Sequence, residues 1–281
     1  MSIAYYNGDF FDFSEVRIPL TDRSVFFGDG IYDAAIGKYG RVYLEREHLD
    51  RLFGNAERMG IPINMSRAEL SSLIRELIQR NGFEEYFIYI HLSRFSHERT
   101  HSYPTCERSN LLITLRKHSL PEPDKELKLI TLPDLRYSMC DVKTLNLLPA
   151  VLASKKAEDA GCDEAVFIRD GFVTECAHSN IHIIKDGILY THPNGKFILP
   201  GITRKRLLYF CELLSVPYEE RPFSREELCE ADEVLVTSTT KLCLRAVEID
   251  GEKVGNCDSG IGKRLIFALF EDFKKKSVLK F

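Results

Sequence analysis

The sequence predicts an α+β fold in two domains, and three observations support this prediction. The chain has 281 residues, of which 44% are hydrophobic and 28% charged, which is typical of a globular protein long enough for two domains. Strand-like runs and helices with one apolar face occur in both halves. Residues 119–126 (SLPEPDKE) contain two prolines and four charged side chains, which interrupt regular structure. We predict an N-terminal domain over residues 1–118, a linker over 119–126 and a C-terminal domain over 127–281.

The first half of the chain contains local signals for two hairpins, two helices and two further strands. The clearest helix has a capping box formed by Ser66 and Glu69, and Gly82 can end it. The other helix follows from apolar residues spaced by three and four positions, and the hairpins follow from turn residues between strand-like runs. The predicted hairpins surround Asn7-Gly8 and residues 37–42, the helices span 45–59 and 66–82, and the strands span 86–95 and 110–117.

The second half is predicted to be rich in β-structure. Its strongest signals are three Asp-Gly pairs, which begin at residues 170, 186 and 250 and are flanked by strand-like runs. Asp-Gly favours the tight turns of antiparallel hairpins. Pro149 can open a helix that Gly161 closes. A strand is also expected at 127–132, and helices with one apolar face are expected at 203–214 and 261–275.

Charge and cysteine usage limit the classes of partner. The formal net charge is −4, from 38 basic and 42 acidic residues that are interspersed, so a small molecule is expected rather than nucleic acid or an anionic membrane. The N-terminus lacks the features of a signal peptide, and no apolar stretch approaches the ~18 residues of a membrane span. We therefore expect a cytoplasmic protein. The eight cysteines and eight histidines lack C-x-x-C and H-x-x-x-H spacing, so we expect free thiols and no metal site.

Three short stretches carry residues suited to chemistry, although each also fits an ordinary structural role. Lys143 stands in CDVKTLNLLPA ahead of apolar residues, where a lysine can also extend its amine into solvent. Glu175 comes at the end of a strand and fits a solvent-facing carboxylate. Arg99 and His101 lie one residue apart, and such a pair can bind a carboxylate or can be solvated in a polar loop.

The sequence contains no standard phosphate-binding loop, because neither G-x-x-x-x-G-K-[ST] nor G-x-G-x-x-G is present. Gly201-Ile202-Thr203 places a glycine directly before a helix, so backbone N–H groups and the Thr203 hydroxyl could bind an anion. An ordinary capped helix explains the same pattern. A second hydroxyl cluster at 237–240 either completes a turn or binds an anion. Together with Lys143, the two clusters suggest a phosphorylated cofactor beside an amine.

These stretches and their neighbours keep an order and spacing that extend from about residue 5 to about residue 255. They are DRSVFFGDGIYD, EHLDRL, the RTH loop, CDVKTLNLLPAVLASKKAEDAGCDEA, VTECAHSN, KDGILYTHP, LPGITR and VTSTT. In this order they resemble the fold-type IV, class IV aminotransferases that use pyridoxal 5'-phosphate, and most closely the D-amino-acid aminotransferases. The resemblance implies an N-terminal α/β domain, a C-terminal pseudo-barrel domain and a cofactor in the cleft between them.

The resemblance also implies the cofactor-binding and catalytic residues. Lys143 is expected to form a Schiff base with the cofactor and to move a proton between the substrate α-carbon and the C4′ atom of the cofactor. An apolar setting would favour its neutral amine. Glu175 is expected to face the pyridine nitrogen and keep it protonated. The remaining implied cofactor contacts are the phosphate ligands Arg51, Ile202, Thr203 and Thr240 and the ring neighbour Leu199.

The implied substrate site binds the carboxylate of an amino acid or a 2-oxo acid. Its residues are Tyr32, Tyr89, Arg99 and His101, and the Arg-x-His loop comes from the other subunit, so a homodimer is implied. The Arg-x-His pair favours the D-amino-acid branch over the branched-chain enzymes. The expected reaction is reversible transamination, for instance between D-alanine and 2-oxoglutarate, giving pyruvate and D-glutamate.

The chain departs from the family pattern directly after the glutamate. Cys176, Ala177 and His178 stand where relatives commonly have Gly and hydroxyl residues, and His178 either supplies an imidazole in place of a hydroxyl or points away. Three alternative functions stay open: a branched-chain L-amino-acid aminotransferase, an aminodeoxychorismate lyase that eliminates pyruvate, and a non-catalytic binding protein on the same fold.

Overall fold

The computed structural model describes residues 2–105, 107–255 and 260–277. Within these residues the chain forms two compact units. Unit 1 comprises the described residues of 1–119, 142–146 and 275–281, and unit 2 comprises 120–141 and 147–274. The segment 142–146, which contains Lys143, therefore lies with unit 1, although the sequence-based boundary places everything after residue 126 in the second domain.

Unit 1 is built on a six-stranded antiparallel sheet that carries two long helices. Its elements are β1 (Ile3–Tyr6), β2 (Asp9–Asp12), a 3-10 turn (Phe13–Glu15), α1 (Arg23–Phe27), β3 (Gly30–Lys38), β4 (Arg41–Val42), α2 (Glu45–Met59), α3 (Arg67–Asn81), β5 (Glu85–Ser93) and β6 (Asn110–Lys117). The strand order is β2-β1-β6-β5-β3-β4, and each neighbouring pair is antiparallel. The predicted helix at 45–59 and strand at 110–117 are confirmed with the predicted bounds.

Local chemistry explains these elements of unit 1. The β1–β2 hairpin turns at Asn7 and Gly8, whose φ angles of 48° and 114° lie in the region that Asn and Gly tolerate best. The capping box at the start of α3 is confirmed, because Ser66 and Glu69 exchange side-chain to backbone hydrogen bonds. The apolar faces of α2 and α3 pack in one core with the sheet. Among its members, Leu52, Leu70, Ile74, Leu77 and Ile88 are at most 2% exposed.

Unit 2 is built on a nine-stranded mixed sheet. Its elements are β7 (Glu126–Pro133), α4 (Leu148–Asp159), β8 (Glu164–Arg169), β9 (Phe172–Cys176), β10 (Asn180–Lys185), β11 (Ile188–Thr191), α5 (Ile202–Leu213), β12 (Tyr218–Glu220), α6 (Arg225–Cys229), β13 (Glu233–Ser238), β14 (Leu242–Ile249), β15 (Glu252–Lys253) and α7 (Ile261–Ser277). The last three residues of α7 belong to unit 1. The strand order is β12-β11-β10-β13-β14-β7-β8-β9, and β15 pairs with β14.

The connection from β9 to β10 shows that this sheet curls. Four strands lie between β9 and β10 along the sheet, yet three residues join the two strands in the chain. The backbone N–H of Cys176 donates a hydrogen bond of 2.8 Å to the carbonyl of Ser179 across this connection. A flat sheet would separate the two strands by several strand spacings of about 4.8 Å, so the sheet must close on itself as a pseudo-barrel. The α+β fold with a pseudo-barrel second domain is confirmed.

The three predicted Asp-Gly hairpins are confirmed within unit 2. They join β8 to β9, β10 to β11 and β14 to β15. In each turn the Asp has a φ angle between 52° and 54° and the Gly a φ angle between 79° and 83°, as expected for turns whose twist matches that of the strands. The helices predicted at 203–214 and 261–275 are α5 and α7, with bounds that differ by one or two residues.

Three further features concern cysteines, possible membrane segments and possible metal sites. The six described cysteines, at positions 140, 162, 176, 211, 229 and 243, are free thiols, and Cys106 and Cys257 lie outside the described residues. None of the helices in the described part of the chain has the length and apolar character needed to cross a membrane. The same residues contain no cluster of His, Cys, Asp and Glu that could hold a metal ion.

A buried histidine should make the stability of this fold depend on pH. His182 on β10 is 0% exposed, and its ring nitrogens lie 2.9 Å from the hydroxyls of Thr191 and Thr237. Burial and the nearby charge of Arg204 hold the pKa of His182 well below its usual value. The unfolded chain therefore binds one more proton below pH 6.5, so this contribution is complete above pH 6.5 and is lost as the pH falls toward the folded pKa.

Below pH 6.5, we expect His182 to lower the free energy of unfolding by about 1.4 kcal/mol for each pH unit. Urea unfolding between pH 5 and pH 7.5 measures the slope. In a His182→Gln variant, the slope of the unfolding free energy against pH should be smaller by the contribution of one proton. Equal slopes for the native protein and His182→Gln would contradict the expectation.

Candidate active site

Lys143 lies on a short segment that is attached to β3 of unit 1. The backbone N–H of Tyr32 donates to the carbonyl of Lys143 at 2.9 Å, and Ile31 forms an antiparallel bridge with Thr144. Val142, directly before the lysine, is 3% exposed and belongs to the apolar core of unit 1. The main chain of Lys143 is thus fixed on both sides, while its side chain is only half-buried.

The amine of Lys143 lies beside a pair of tyrosines. Its Nζ atom is 4.3 Å from the ring centroid of Tyr32, a distance at which an aromatic face attracts a cation. The rings of Tyr32 and Tyr89 lie 5.4 Å apart, because their residues stand on the neighbouring strands β3 and β5. Burial raises the pKa of Tyr89 to about 12, so its hydroxyl stays protonated and can donate a hydrogen bond. Three of the predicted site residues are therefore brought together here.

Arg51, a predicted phosphate ligand, is bound to a buried carboxylate. Its guanidinium contacts both oxygens of Asp33, at 2.8 and 2.9 Å, and the Nδ1 atom of His48 lies 2.7 Å from Asp33 Oδ1. Burial raises the pKa of Asp33, but the charge of Arg51 and the hydrogen bond of His48 lower it more strongly, so the net pKa is well below its usual range. This ion pair fixes the orientation of Arg51.

The sequence did not reveal the Asp33 and His48 partners of Arg51. Burial lowers the pKa of His48 although Asp33 opposes this change, so a neutral imidazole can donate a hydrogen bond from its Nδ1–H group to the carboxylate. His48 and Arg51 stand three residues apart on α2, and this spacing places two polar side chains on one helix face. In the sequence, this spacing is the local signal that His48 and Arg51 share a partner.

Arg99 and His101 stand on the exposed loop between β5 and β6. Both side chains lie beside the ring of Phe27: the Arg99 guanidinium carbon is 5.4 Å from the ring centroid, and the His101 ring centroid is 5.3 Å from it. The main chain of the loop is held by Arg23, whose Nη1 and Nη2 atoms donate to the carbonyls of Thr100 and His101. Arg23 was not among the residues expected from the sequence.

Glu175 is the next-to-last residue of β9 in unit 2, and it is buried rather than solvent-facing. It is 5% exposed. Its Oε2 atom accepts hydrogen bonds from the backbone N–H of Leu199 at 2.9 Å and from Asn180 Nδ2 at 3.0 Å. Its Oε1 atom accepts from Arg136. Because an ionised carboxylate only accepts hydrogen bonds, these donors match the charged form of Glu175 and fix its direction.

Arg136 is itself held by a second carboxylate. Asp134 contacts two of its nitrogens, at 2.9 and 3.0 Å, and Arg169 lies 3.2 Å from the same Asp134. Burial raises the pKa of Asp134, but the hydrogen bonds and charge of Arg136 lower it further, so the net shift is downward. Arg136, Asp134 and Asn180 were missed in the sequence, since no local spacing links them to Glu175.

The first turn of α5 offers donors for a phosphate group. Its N-cap is Gly201, and no side chain in the described part of the chain caps it, so its first N–H groups point outward from the helix end. A methyl group at position 201 would clash with Asn180 Oδ1. Glycine is therefore required here for Asn180 to reach Glu175. Ile202 and Thr203 follow in this turn, and both residues are buried.

Thr240 lies in the turn between β13 and β14 of the same unit. Its Oγ1 atom is 3.5 Å from the hydroxyl of Ser238, and α5 packs against β13. Thr203 and Thr240 thus belong to neighbouring elements of unit 2. Leu199, the predicted ring neighbour, is half-buried and donates its backbone N–H to Glu175.

His178, one of the residues that depart from the family pattern, pairs with a different buried carboxylate. Its Nδ1 atom lies 3.0 Å from Glu164 Oε1, and Ser179 also donates to Glu164, at 2.8 Å. Cys176, a second departure, is 1% exposed, and burial raises the pKa of its thiol well above the usual value. The imidazole of His178 is therefore oriented by Glu164.

The chemistry of these residues fits a pyridoxal phosphate group. An amine beside tyrosine rings can bond to an aldehyde carbon. An oriented carboxylate can bind a protonated pyridine nitrogen, and an uncapped helix end with hydroxyl groups can bind a phosphate. The amine and Arg51 are residues of unit 1, and the carboxylate, the helix end and Thr240 are residues of unit 2. The fit rests on the amine, the carboxylate and the helix end, which are the groups that an aldehyde, a pyridine nitrogen and a phosphate require. The glycine at position 201 leaves the space that Asn180 needs to contact Glu175.

Comparisons with known proteins agree with this donor set. The family model of amino-transferase class IV matches residues 30–249. The chain is 38% identical to the D-alanine aminotransferase of Staphylococcus haemolyticus over 259 residues, which cover 91% of this chain and 92% of that protein. It is 36% identical to the D-alanine aminotransferase of Staphylococcus epidermidis strain RP62A over 277 residues, which cover 97% and 98% of the two chains.

A solved structure shares the fold at lower identity. The branched-chain aminotransferase of the thermophilic archaeon Thermoproteus uzoniensis, solved with norvaline, matches with a TM-score of 0.88 and 22% identity, covering 98% of this chain and 95% of that chain. At this identity the match concerns the fold alone. The family match spans most of the chain, and the two relatives are similar over nearly their whole length. The chain belongs to the class IV aminotransferases.

Proposed function

We propose that this protein catalyses reversible transamination between a D-amino acid and a 2-oxo acid, with pyridoxal 5'-phosphate as its cofactor. D-alanine and 2-oxoglutarate would give pyruvate and D-glutamate. Class IV aminotransferases depend on this cofactor. The observation that carries the proposal is the Lys143 amine beside Tyr32, in a chain that is 36–38% identical to D-alanine aminotransferases over nearly its whole length.

Each proposed residue has a role that follows from its contacts. When bound, the cofactor supplies an aldehyde for the amino group and a ring that accepts electrons from the substrate α-carbon. Lys143 would hold the cofactor at its aldehyde carbon and would move the proton between the substrate α-carbon and the C4′ atom. Glu175 holds a proton on the pyridine nitrogen, and its donors keep it oriented for this contact.

The remaining proposed residues bind the phosphate and the substrate. At the first turn of α5, backbone N–H groups and helix polarity would bind the phosphate. Arg51 is proposed as a further phosphate ligand. Arg99, with its planar fork of donors, binds the substrate carboxylate together with His101. Tyr32 and Tyr89 orient the same carboxylate through their hydroxyls. Leu199 packs on the cofactor ring. All these assignments are proposals that the donor types support.

The protein is further proposed to act as a homodimer, in which the Arg-x-His loop serves the active site of the partner. Arg99 and His101 are exposed within one chain. Large apolar side chains are also exposed in both units, among them Leu20, Leu148 and Leu152. Side chains of this kind commonly become buried in subunit interfaces. The expected cytoplasmic location stays a prediction.

Spectroscopy of the purified holoenzyme tests the proposed reaction. The visible absorption band of the bound cofactor should be lost on addition of D-alanine and restored by 2-oxoglutarate, with pyruvate and D-glutamate as products. L-leucine should leave the band unchanged. A response to L-leucine without a response to D-alanine would favour the branched-chain activity, and pyruvate release from aminodeoxychorismate without a 2-oxo acid would favour the lyase.

A further inference from the structure

A buried arginine holds the main chain of the exposed loop that carries Arg99 and His101. Arg23, at the start of α1, is 3% exposed. Its Nη1 atom donates to the carbonyl of Thr100 at 2.7 Å, and its Nη2 atom donates to the carbonyl of His101 at 3.3 Å. A planar guanidinium that binds two consecutive carbonyls fixes the main chain between the two side chains.

Two further side chains hold Arg23 in place. Its Nε atom donates to Asp29 at 2.7 Å. Asp29 also pairs with Arg94, at 3.0 Å, and Arg94 donates to the carbonyls of Met59 and Gly60. Asp29 thus links the guanidinium groups of Arg23 and Arg94.

Phe27, on the same short helix, supports the loop from the side. The ring lies 4.8 Å from the guanidinium carbon of Arg23. The side chains of Arg99 and His101 both lie within 5.4 Å of its centroid. Arg23 and Phe27 thus constrain the loop at its main chain and at its two functional side chains.

We propose that Arg23 is a positioning residue for the substrate carboxylate, and that it acts through the directions in which Arg99 and His101 leave the loop. The proposal builds on the proposed transamination, because that reaction assigns carboxylate binding to these two residues. An exposed polar loop loses conformational freedom when it binds a ligand, and a loop already held in its binding conformation loses less. Arg23 therefore increases the affinity for carboxylates without touching the substrate.

The test uses the holoenzyme and an Arg23→Lys variant. Lysine keeps the charge but has one nitrogen in place of the fork, so it cannot bind both carbonyls and Asp29. We expect KM for D-alanine and for 2-oxoglutarate to rise about 10-fold or more while kcat changes less. The Kd of propionate, which has a carboxylate but no amine, should rise by the same factor, measured from the change in cofactor absorption.

Three comparisons separate positioning from a general loss of stability. Arg206→Lys breaks a two-point ion pair with Asp272 in unit 2, outside the unit that contains this loop, and it should leave the propionate Kd unchanged. Phe27→Leu should raise this Kd in the same direction as Arg23→Lys. In an Arg99→Gln background, Arg23→Lys should cause no further increase, because residues that act through each other are not additive.

The proposal is overturned if a folded Arg23→Lys protein keeps the native propionate Kd and KM values, or if Arg206→Lys raises the Kd equally. If Arg23→Lys does not fold, an unchanged Kd for Phe27→Leu overturns it. The proposed reaction fails separately: a native holoenzyme that does not convert D-alanine refutes the transamination, whereas propionate binding by the native and variant proteins can still be compared.

Discussion

Replacing Lys143 by Ala is expected to reduce amino transfer from D-alanine to 2-oxoglutarate by a factor of about 10⁴. The substitution removes the Nζ atom beside Tyr32, which we propose both holds the cofactor and moves the proton. The fold should persist because the segment is attached through its main chain, by the hydrogen bond from Tyr32 N–H and the bridge at Thr144. Steady-state kinetics and thermal unfolding measure the two effects.

The matched control is Lys185→Ala, which removes an amine from an ion pair with Glu230 on the surface. This variant should keep native turnover. Borohydride reduction of the native holoenzyme should place the cofactor on the peptide that contains Lys143, and a label on any other peptide would contradict the assignment. Undiminished turnover by Lys143→Ala would do the same and would favour a binding protein that does not use this amine.

A mixing experiment extends this result to the proposed dimer. Lys143→Ala and Arg99→Gln chains should each be nearly inactive. If the Arg-x-His loop serves the partner, a hybrid dimer contains one site with both residues native, so unfolding and refolding the two variants together should restore part of the activity. Activity that stays at the level of the separate variants would indicate that the loop serves its own chain or that the protein is a monomer.

The elements with local signals could be predicted from the sequence. The capping box at Ser66 and Glu69 and the three Asp-Gly turns act over two to four residues, so their chemistry is present in the sequence itself. The short helix α1 was not predicted, although Asp22 caps its start and Gly28 follows its end. Arg23 on this helix binds carbonyls 77 and 78 residues away in the chain. Contacts of this kind depend on strand register, which one sequence does not reveal.

The difference between local and long-range contacts also explains which parts of the candidate site were not predicted. Glu175 by itself suggested a solvent-facing carboxylate, and only the fold buries it. Its partner Arg136 is 39 residues away, and Asn180 is on the opposite side of the β9–β10 connection. The sequence could identify the residue types that suit a cofactor. It could not identify the second carboxylate, Asp134, that keeps Arg136 in place.

Replacing Glu175 by Gln is expected to reduce kcat by a factor of about 100 or more while the protein still binds pyridoxal phosphate. Glutamine has the same size but no charge, so it cannot keep a proton on a pyridine nitrogen. Its amide also brings an N–H₂ donor toward Arg136 or toward Asn180 and Leu199, which are donors themselves. Leaving such donors unpaired costs about 1–3 kcal/mol, so the free energy of unfolding should fall as well.

Comparison with a second buried carboxylate separates the two effects. Glu233 on β13 is 1% exposed and accepts a hydrogen bond from Gly262 N–H, so Glu233→Gln should also lower stability. It should leave kcat unchanged, because we propose no cofactor contact for this residue. A Glu175→Asp variant keeps the charge and should recover part of the turnover. If Glu175→Gln and Glu233→Gln lowered kcat equally, the loss would reflect weakened packing of unit 2, and the proposed contact with the pyridine nitrogen would be wrong.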